Sequence, residues 1–427
     1  MMDAYAETLR YLYQSLPMYQ RIGAPAYKAD LVNTQKLCRA LGNPENRFKS
    51  LHVAGTNGKG SSSHMLAAIL QAAGYKTGLY TSPHLRDFTE RIKVDGHEIS
   101  RSFVIDFVRR MKPLLEDIQP SFFETTVAMA FDYFVQQAVD IAVIEVGLGG
   151  RLDSTNVITP QLSLITNISF DHKDLLGDTL PKIAAEKAGI IKSHVPVVIS
   201  ERQPEVEAVF TERARAMEAP IVFASDHLSL KAAGDGFDVY RDQQVWLTDI
   251  RPELRGLYQQ KNIPGVLQSV VRLKMMGYRI SEEALRTGIA NVVSLTGLKG
   301  RWQKLSDKPL TICDTGHNPA GIQMVVEQIK ATPHRKLYMV FGVVKDKDLN
   351  DVFGLLPTDA DYYFCQANIP RAMDAYDLAA KAGAAGLRGV VERDVNKALR
   401  RANEAAGPED LIFIGGSTFV VAELENL

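Results

Sequence analysis

The stretch Leu51-His52-Val53-Ala54-Gly55-Thr56-Asn57-Gly58-Lys59-Gly60-Ser61 sets a short apolar run against a glycine-rich turn holding one lysine. Helical periodicity follows over 61–73 and another apolar run over 77–80, which predicts a strand, a turn, a helix and a second strand. Glycines there let backbone N–H groups turn inward around phosphate oxygens, the helix N-terminus adds partial positive charge, and Lys59 can neutralise outer phosphates. Thr56, Asn57, Gly58, Lys59, Gly60 and Ser61 are therefore expected to bind phosphate, with Ser61 near a magnesium ion. The loop departs from the general pattern: Val53 takes the place of the first glycine, and Gly60 stands where Ser or Thr normally follows the lysine. A glycine-rich turn with a solvated lysine is the plainer alternative.

Outward from that loop the same alternation continues. A helix is expected over 125–138 and strands over 141–146, 162–168 and 195–199, giving a mostly parallel sheet covered by helices. Residues 226–256 alternate polar and apolar over short distances, which predicts a small antiparallel excursion before helices resume over 262–276. Gly297 and Gly300 then punctuate the chain, and a second series has strands over 310–314, 336–341, 361–365 and 410–414. The expected fold is α/β: an N-terminal P-loop ATPase-like domain over 1–296 and a smaller C-terminal Rossmann-like domain over 297–427.

Composition narrows the function classes. The 427 residues are 23% charged and 46% hydrophobic with a formal net charge of -1, ordinary for a globular protein and without the basic footprint of a nucleic-acid binder. Cys38, Cys313 and Cys365 lie far apart, so neither a disulfide framework nor a zinc site is expected, and a reducing cytoplasm fits best. No run is apolar for the length of a bilayer, and the opening residues lack an export pattern. With no heptad stretch, a monomer is expected.

Acidic and basic groups recur where apolar runs end. Glu145 closes one expected strand, at the edge where open α/β sheets place ligands, and its carboxylate suits magnesium. It equally suits a strand-end pair with Arg151. Asn167, Asp171 and His172 close another strand, and Glu186, Lys187 and Lys192 follow on an expected helix. Taken singly, these are a structural histidine and a solvated helix face.

Taken jointly, the strings HVAGTNGKGS (52–61), YTSPHL (80–85), FFE (122–124), EVGLGGRLDSTN (145–156), SFDH (169–172), EKAGIIK (186–192) and DTGHNP (314–319) make the chain resemble the Mur ligase superfamily. Within it, the chain most resembles the folylpolyglutamate synthase and dihydrofolate synthase family. That resemblance implies an ATP-dependent ligase that adds L-glutamate to dihydropteroate or to reduced folates through an acyl phosphate. It implies Mg-ATP held by Lys59 and the loop, two metal sites using Ser82, Glu145 and His172, and a carbamate on Lys187. Catalytic roles then fall to Lys59, Lys187 and His172. Asn262, Arg301, Asp314 and His317 would contact the nucleotide between the two lobes.

The same resemblance places the pterin along Phe122, Phe123, Glu124 and the Leu152-Asp153-Ser154 turn, although both phenylalanines would also suit the start of a core helix. The segment 19–28 is expected to cover the pterin. Two strings differ from the family pattern: Thr315 stands for a glycine, and Lys299-Gly300-Arg301 for Pro-Gly-Arg. A peptidoglycan-precursor ligase of the same superfamily and a non-ligating ATP-binding switch are the alternatives.

Overall fold

The computed structural model describes residues 3–18, 21, 23, 28, 30–345 and 349–427. The chain divides into two compact units, Met1–Glu253 with Gln259–Leu298 and Leu254–Tyr258 with Lys299–Leu427. The short Leu254–Tyr258 segment thus packs with the second unit although it lies within the first in sequence.

In the first unit, the main sheet is built from β1 (Lys49–Ala54), β2 (Thr77–Tyr80), β3 (Ile92–Val94), β4 (His97–Glu98), β5 (Ile141–Glu145), β6 (Leu162–Ile165), β7 (Val197–Ile199) and β8 (Ile221–Phe223). Among the described residues their order is β4-β3-β2-β5-β1-β6-β7-β8, parallel except for the β3–β4 edge. Every residue of β5 is buried, as a central parallel strand covered on both faces requires. Apolar clusters form around Phe107, Phe131 and Ile144 and around Ile165, Ile183 and Phe210, over different strands of the one face that Ile144 and Ile165 share with His52 and Ala54. β1 sits between β5 and β6, with Val53 opposite Glu145 and Ala54 opposite Ile165. The loops leaving these three strands therefore emerge side by side, which fixes where a ligand can bind.

The expected antiparallel excursion is a three-stranded sheet of β9 (Leu228–Ala233), β10 (Gly236–Arg241) and β11 (Gln244–Ile250). Asp242 and Gln243, both with positive φ, make its two-residue hairpin turn.

The second unit carries β12 (Gln303–Asp307), β13 (Leu310–Cys313), β14 (Leu337–Phe341), β15 (Asp361–Phe364), β16 (Arg388–Val391) and β17 (Leu411–Gly415), in the order β12-β13-β17-β14-β15-β16. All neighbours are parallel except β12 and β13. The α/β class with mostly parallel sheets is as the sequence predicts. Among the described residues, no helix is long and apolar enough to cross a membrane.

Candidate active site

The glycine-rich turn leaves β1 and enters the helix Lys59–Ala72, whose N-cap is Gly58 at φ 84°. That backbone is open to glycine and strained for other residues. A Cβ at Gly58 would lie 2.1 Å from Asn262 Oδ1. Gly58→Ala is accordingly expected to cost about 1–3 kcal/mol in stability and to raise KM for ATP, checked by urea unfolding and initial rates.

The segment after β6 clasps the turn from the side. Thr56 N–H donates to Asn167 O at 2.8 Å, and Asn57 N–H donates to Asn167 Oδ1 at 3.0 Å. Thr56 Oγ1 donates to Ser169 O and accepts from Ser169 N–H, while Thr166 Oγ1 donates to Asn57 O at 2.6 Å. Lys59 Nζ curls back onto Gly55 O at 3.1 Å and Thr56 O at 3.2 Å. The loop is thus held largely by this neighbouring segment, and Lys59 can turn from its own carbonyls to an anion.

At the end of β5, the buried Glu145 carboxylate accepts the Ser82 N–H through Oε2 at 3.1 Å. His172 adopts φ 50° at the start of the short helix Lys173–Leu176, beside Asp171. Arg151 pairs with Glu186 at 2.9 Å. Lys187, only 3% exposed, lies on the helix Leu180–Ala188. Burial, reinforced by the positive charge of Lys59, brings its ammonium down to about 7, against the opposing pull of Asp171, Asp153 and Glu186. Among the described residues, no cluster of three His, Cys, Asp or Glu side chains could hold a metal by itself.

The turn following β5 is organised from within. Buried Asp153 accepts the N–H groups of Leu148 at 2.8 Å and Thr155 at 3.0 Å, together with the Thr155 hydroxyl. Burial raises its carboxyl while these bonds oppose the rise. Because Thr155 gives its hydrogen to Asp153, the 2.9 Å bond from His52 Nε2 to Thr155 Oγ1 must carry its hydrogen on His52. Burial pushes the His52 imidazole down to about 3, so it is neutral with hydrogen on Nε2. His52→Ala strips Thr155 of that donor and is expected to cost about 1–3 kcal/mol, read from the urea midpoint.

Three residues expected to meet the pterin have different surroundings. Phe122 is core, packed against Tyr13 and Phe88 under the Arg91 guanidinium. Glu124 is buried in a capping box: its Oε2 accepts Ser121 N–H at 2.6 Å, and Ser121 Oγ accepts Glu124 N–H at 3.2 Å. Both therefore serve the helix Phe122–Gln136 rather than an open ligand surface. Phe123 alone is partly exposed, and its ring lies so close to Gly147 that a Cβ there would be 2.3 Å from Cζ.

In the second unit, Asp314 directly follows β13 and is fully wrapped. Its Oδ2 accepts from the Tyr258 hydroxyl at 2.6 Å and Trp302 N–H at 2.7 Å, and its Oδ1 accepts from Gly316 N–H at 2.7 Å. Burial raises its carboxyl, and the Tyr258 hydrogen bond and the Arg301 charge pull it back. Arg301 reaches the Thr315 hydroxyl and Gly300 O. The His317 ring bonds Thr315 O at 3.0 Å, and Asn318 caps the helix Pro319–Ala331. Thr315 is absent from the left-handed backbone positions among the described residues. A side chain is thus accepted at this point of the turn, where Thr315 also bonds Gly300 O.

Residues 53–244 match the Mur ligase middle domain, and residues 300–418 match the Mur ligase glutamate ligase domain. A dihydrofolate synthase/folylpolyglutamate synthase of Bacillus subtilis is 34% identical over 417 residues, covering 93% of this chain and 95% of its own. The chain belongs to the folylpolyglutamate synthase and dihydrofolate synthase family. It is an ATP-dependent ligase that attaches glutamate to folates. Escherichia coli FolC in complex with DHPP and ADP aligns with a TM-score of 0.85 at 30% identity, covering 99% of this chain and 97% of that one. A bifunctional folylpolyglutamate synthase/dihydrofolate synthase with Mn, AMPPNP and L-glutamate bound gives 0.84 at 28% identity, with 99% and 97% covered. The peptidoglycan ligase and the non-ligating switch give way to this assignment.

Sequence reasoning missed several residues of this ligase. Ser169 stands in a quoted motif and Asn167 closes the expected strand before it, but nothing local marks them as the clasp on residues 56 and 57. Ser121 with Glu124 three positions on is a capping-box signature, which could have shown that Glu124 is occupied. The Tyr258 bond to Asp314 spans 56 positions and has no local signal. Most of the expected pterin cover at 19–28 lies outside the described residues.

Proposed function

We propose that this ligase adds L-glutamate both to dihydropteroate and to the γ-carboxyl of reduced folates, through an acyl phosphate. The observation that carries the reading is a convergence at the carboxyl ends of β1, β5 and β6. A phosphate-binding turn, the Glu145 carboxylate and a buried lysine of lowered basicity meet at one sheet edge. A relative solved with Mn, AMPPNP and L-glutamate supports the same ligand classes.

In this reading the N–H groups of Gly58, Lys59, Gly60 and Ser61 surround the triphosphate, while those of Thr56 and Asn57 hold the turn in place through Asn167. Lys59 releases Gly55 O and Thr56 O to neutralise charge on the transferring group. Asn262, Arg301, Asp314 and His317 contact the nucleotide. The acceptor carboxylate attacks the γ-phosphorus and ADP leaves. The neutral amine of glutamate then attacks the acyl carbon, and phosphate departs with one original carboxylate oxygen. Phe123, with Leu152, Asp153 and Ser154, borders the pterin, and an aromatic face suits a flat heterocycle.

The residues present suit a hard divalent cation: Glu145 offers a carboxylate whose Oε2 is already fixed by Ser82 N–H, and magnesium needs only one or two carboxylates beside phosphate oxygens. Ser82, Glu145 and His172 would hold two such ions, which when bound neutralise phosphate charge. Lys187 suits carbamylation, because CO2 reacts with a neutral amine. Among the described residues it has no ion pair to keep it protonated. As a carbamate it would present an anion toward the second ion. The buried free thiols of Cys38, Cys313 and Cys365 fit a cytoplasmic setting, and we read the chain as a monomer.

Oxygen transfer tests the chemistry. With acceptor labelled by 18O in its carboxylate, one label should appear in inorganic phosphate per ligation; unlabelled phosphate would contradict the acyl phosphate. Gly147→Ala tests the pterin border. Displacement of the Phe123 ring is expected to raise KM for the folate acceptor about 10- to 100-fold while KM for ATP holds, measured by initial rates.

A further inference from the structure

Gln259 opens the helix Gln259–Met275 and is buried against the phosphate-binding turn. Its Oε1 accepts from Asn262 Nδ2 at 2.8 Å, which leaves its amide hydrogens facing Ser61, and Nε2 donates to Ser61 Oγ at 3.1 Å. Ser61 is itself buried, on the first turn of its helix. A hydroxyl has one hydrogen and two lone pairs. With one lone pair filled by Gln259, the Ser61 oxygen is held in place, and its hydrogen and remaining lone pair can serve another partner. Asn262 completes the bracket, packed against the position where a Gly58 Cβ would stand.

We propose that Gln259 is a positioning residue that fixes the Ser61 hydroxyl toward the metal-bound nucleotide. The inference rests on the reading that Ser61 faces Mg-ATP. Gln259 does not touch the nucleotide; it acts through Ser61. Partners of a ligating group typically change metal affinity by about 10- to 100-fold when removed.

The test is calorimetric binding of AMPPNP with and without Mg2+ to the whole protein, for wild type, S61A, Q259E, Q259A and the S61A/Q259E pair. Q259E keeps an acceptor for Asn262 and removes only the donor, so it remains informative if Q259A fails to fold. The expected result is that the tightening conferred by Mg2+ falls about tenfold or more in Q259E and S61A, with the pair no worse than S61A. Simple repulsion from the new carboxylate would act oppositely, weakening the more highly charged Mg-free nucleotide more. Equal losses with and without Mg2+ in the Gln259 variants, or a pair whose losses add, would overturn the inference. If S61A itself left the Mg2+ effect intact, the reading of Ser61 would fail and the role of Gln259 with it.

Discussion

Lys59→Ala is expected to lower kcat at saturating ATP by about 10²- to 10³-fold, the usual cost of losing one preorganised charge or donor at a developing anion. The lysine is half-buried and, among the described residues, its ammonium bonds two carbonyls of its own loop, at 3.1 and 3.2 Å. No other element depends on those bonds, so the unfolding midpoint should move by a few degrees at most, about 1 kcal/mol. Lys59→Arg tests geometry against charge. A planar guanidinium is bulkier and forked, so it should restore little of the rate although the charge is kept. The measurement is ADP release at saturating substrates beside thermal unfolding of each variant. Loss of rate in step with loss of fold would count against a phosphate role for Lys59. Removing Lys59 also removes one charge that depresses the Lys187 ammonium, so Lys187 should become more basic.

Lys187→Arg and Lys187→Met are expected to cost about 10- to 100-fold in metal-dependent activity, since neither can carry a carbamate. The unmodified amine also makes a pH prediction. It ionises ordinarily at 10.5 but in the folded chain near 7, so between these values the unfolded chain holds the extra proton. Stability then rises with pH across that window, and the cost of burying the charge is present in full below about 7. A carbamate removes this titration and flattens the rise. Urea unfolding between pH 7 and 10, in CO2-free buffer and in bicarbonate, should show the slope only in the former. A labelled carbamate carbon in the NMR spectrum after 13C-bicarbonate treatment should accompany the flat profile. Full activity in CO2-free buffer with no such signal would contradict the modification.

Much of the fold was legible because its signals are local. The apolar run of β1, the glycine turn and the helix behind it are read directly, and β5, apolar up to its closing Glu145, announces a strand covered on both faces. The hairpin edge of β3 and β4 was not, since strands of three and two residues give no periodicity to read. The helix start moved from 125 to Phe122 because a side-chain cap, not hydrophobic spacing, sets it.

The site divides in the same way. Glycines, Lys59 and Glu145 are marked by position at strand ends, whereas the clasp by Asn167 and Ser169 and the Tyr258 support of Asp314 exist only after distant segments meet. Of the residues expected at the pterin, Phe122 and Glu124 illustrate the limit of motif reading. Adjacent side chains on a helix point in different directions, and here one enters the core, one closes the cap and only Phe123 between them stays partly open.

The most direct measurement is mass spectrometry of products formed by the purified protein with Mg-ATP and L-glutamate, with dihydropteroate in one reaction and tetrahydrofolate in another. The account predicts a gain of one glutamyl residue in each, with one ADP released per residue added. Gain with only one acceptor would contradict the bifunctional reading, and ADP release without mass gain on either acceptor would contradict ligation itself.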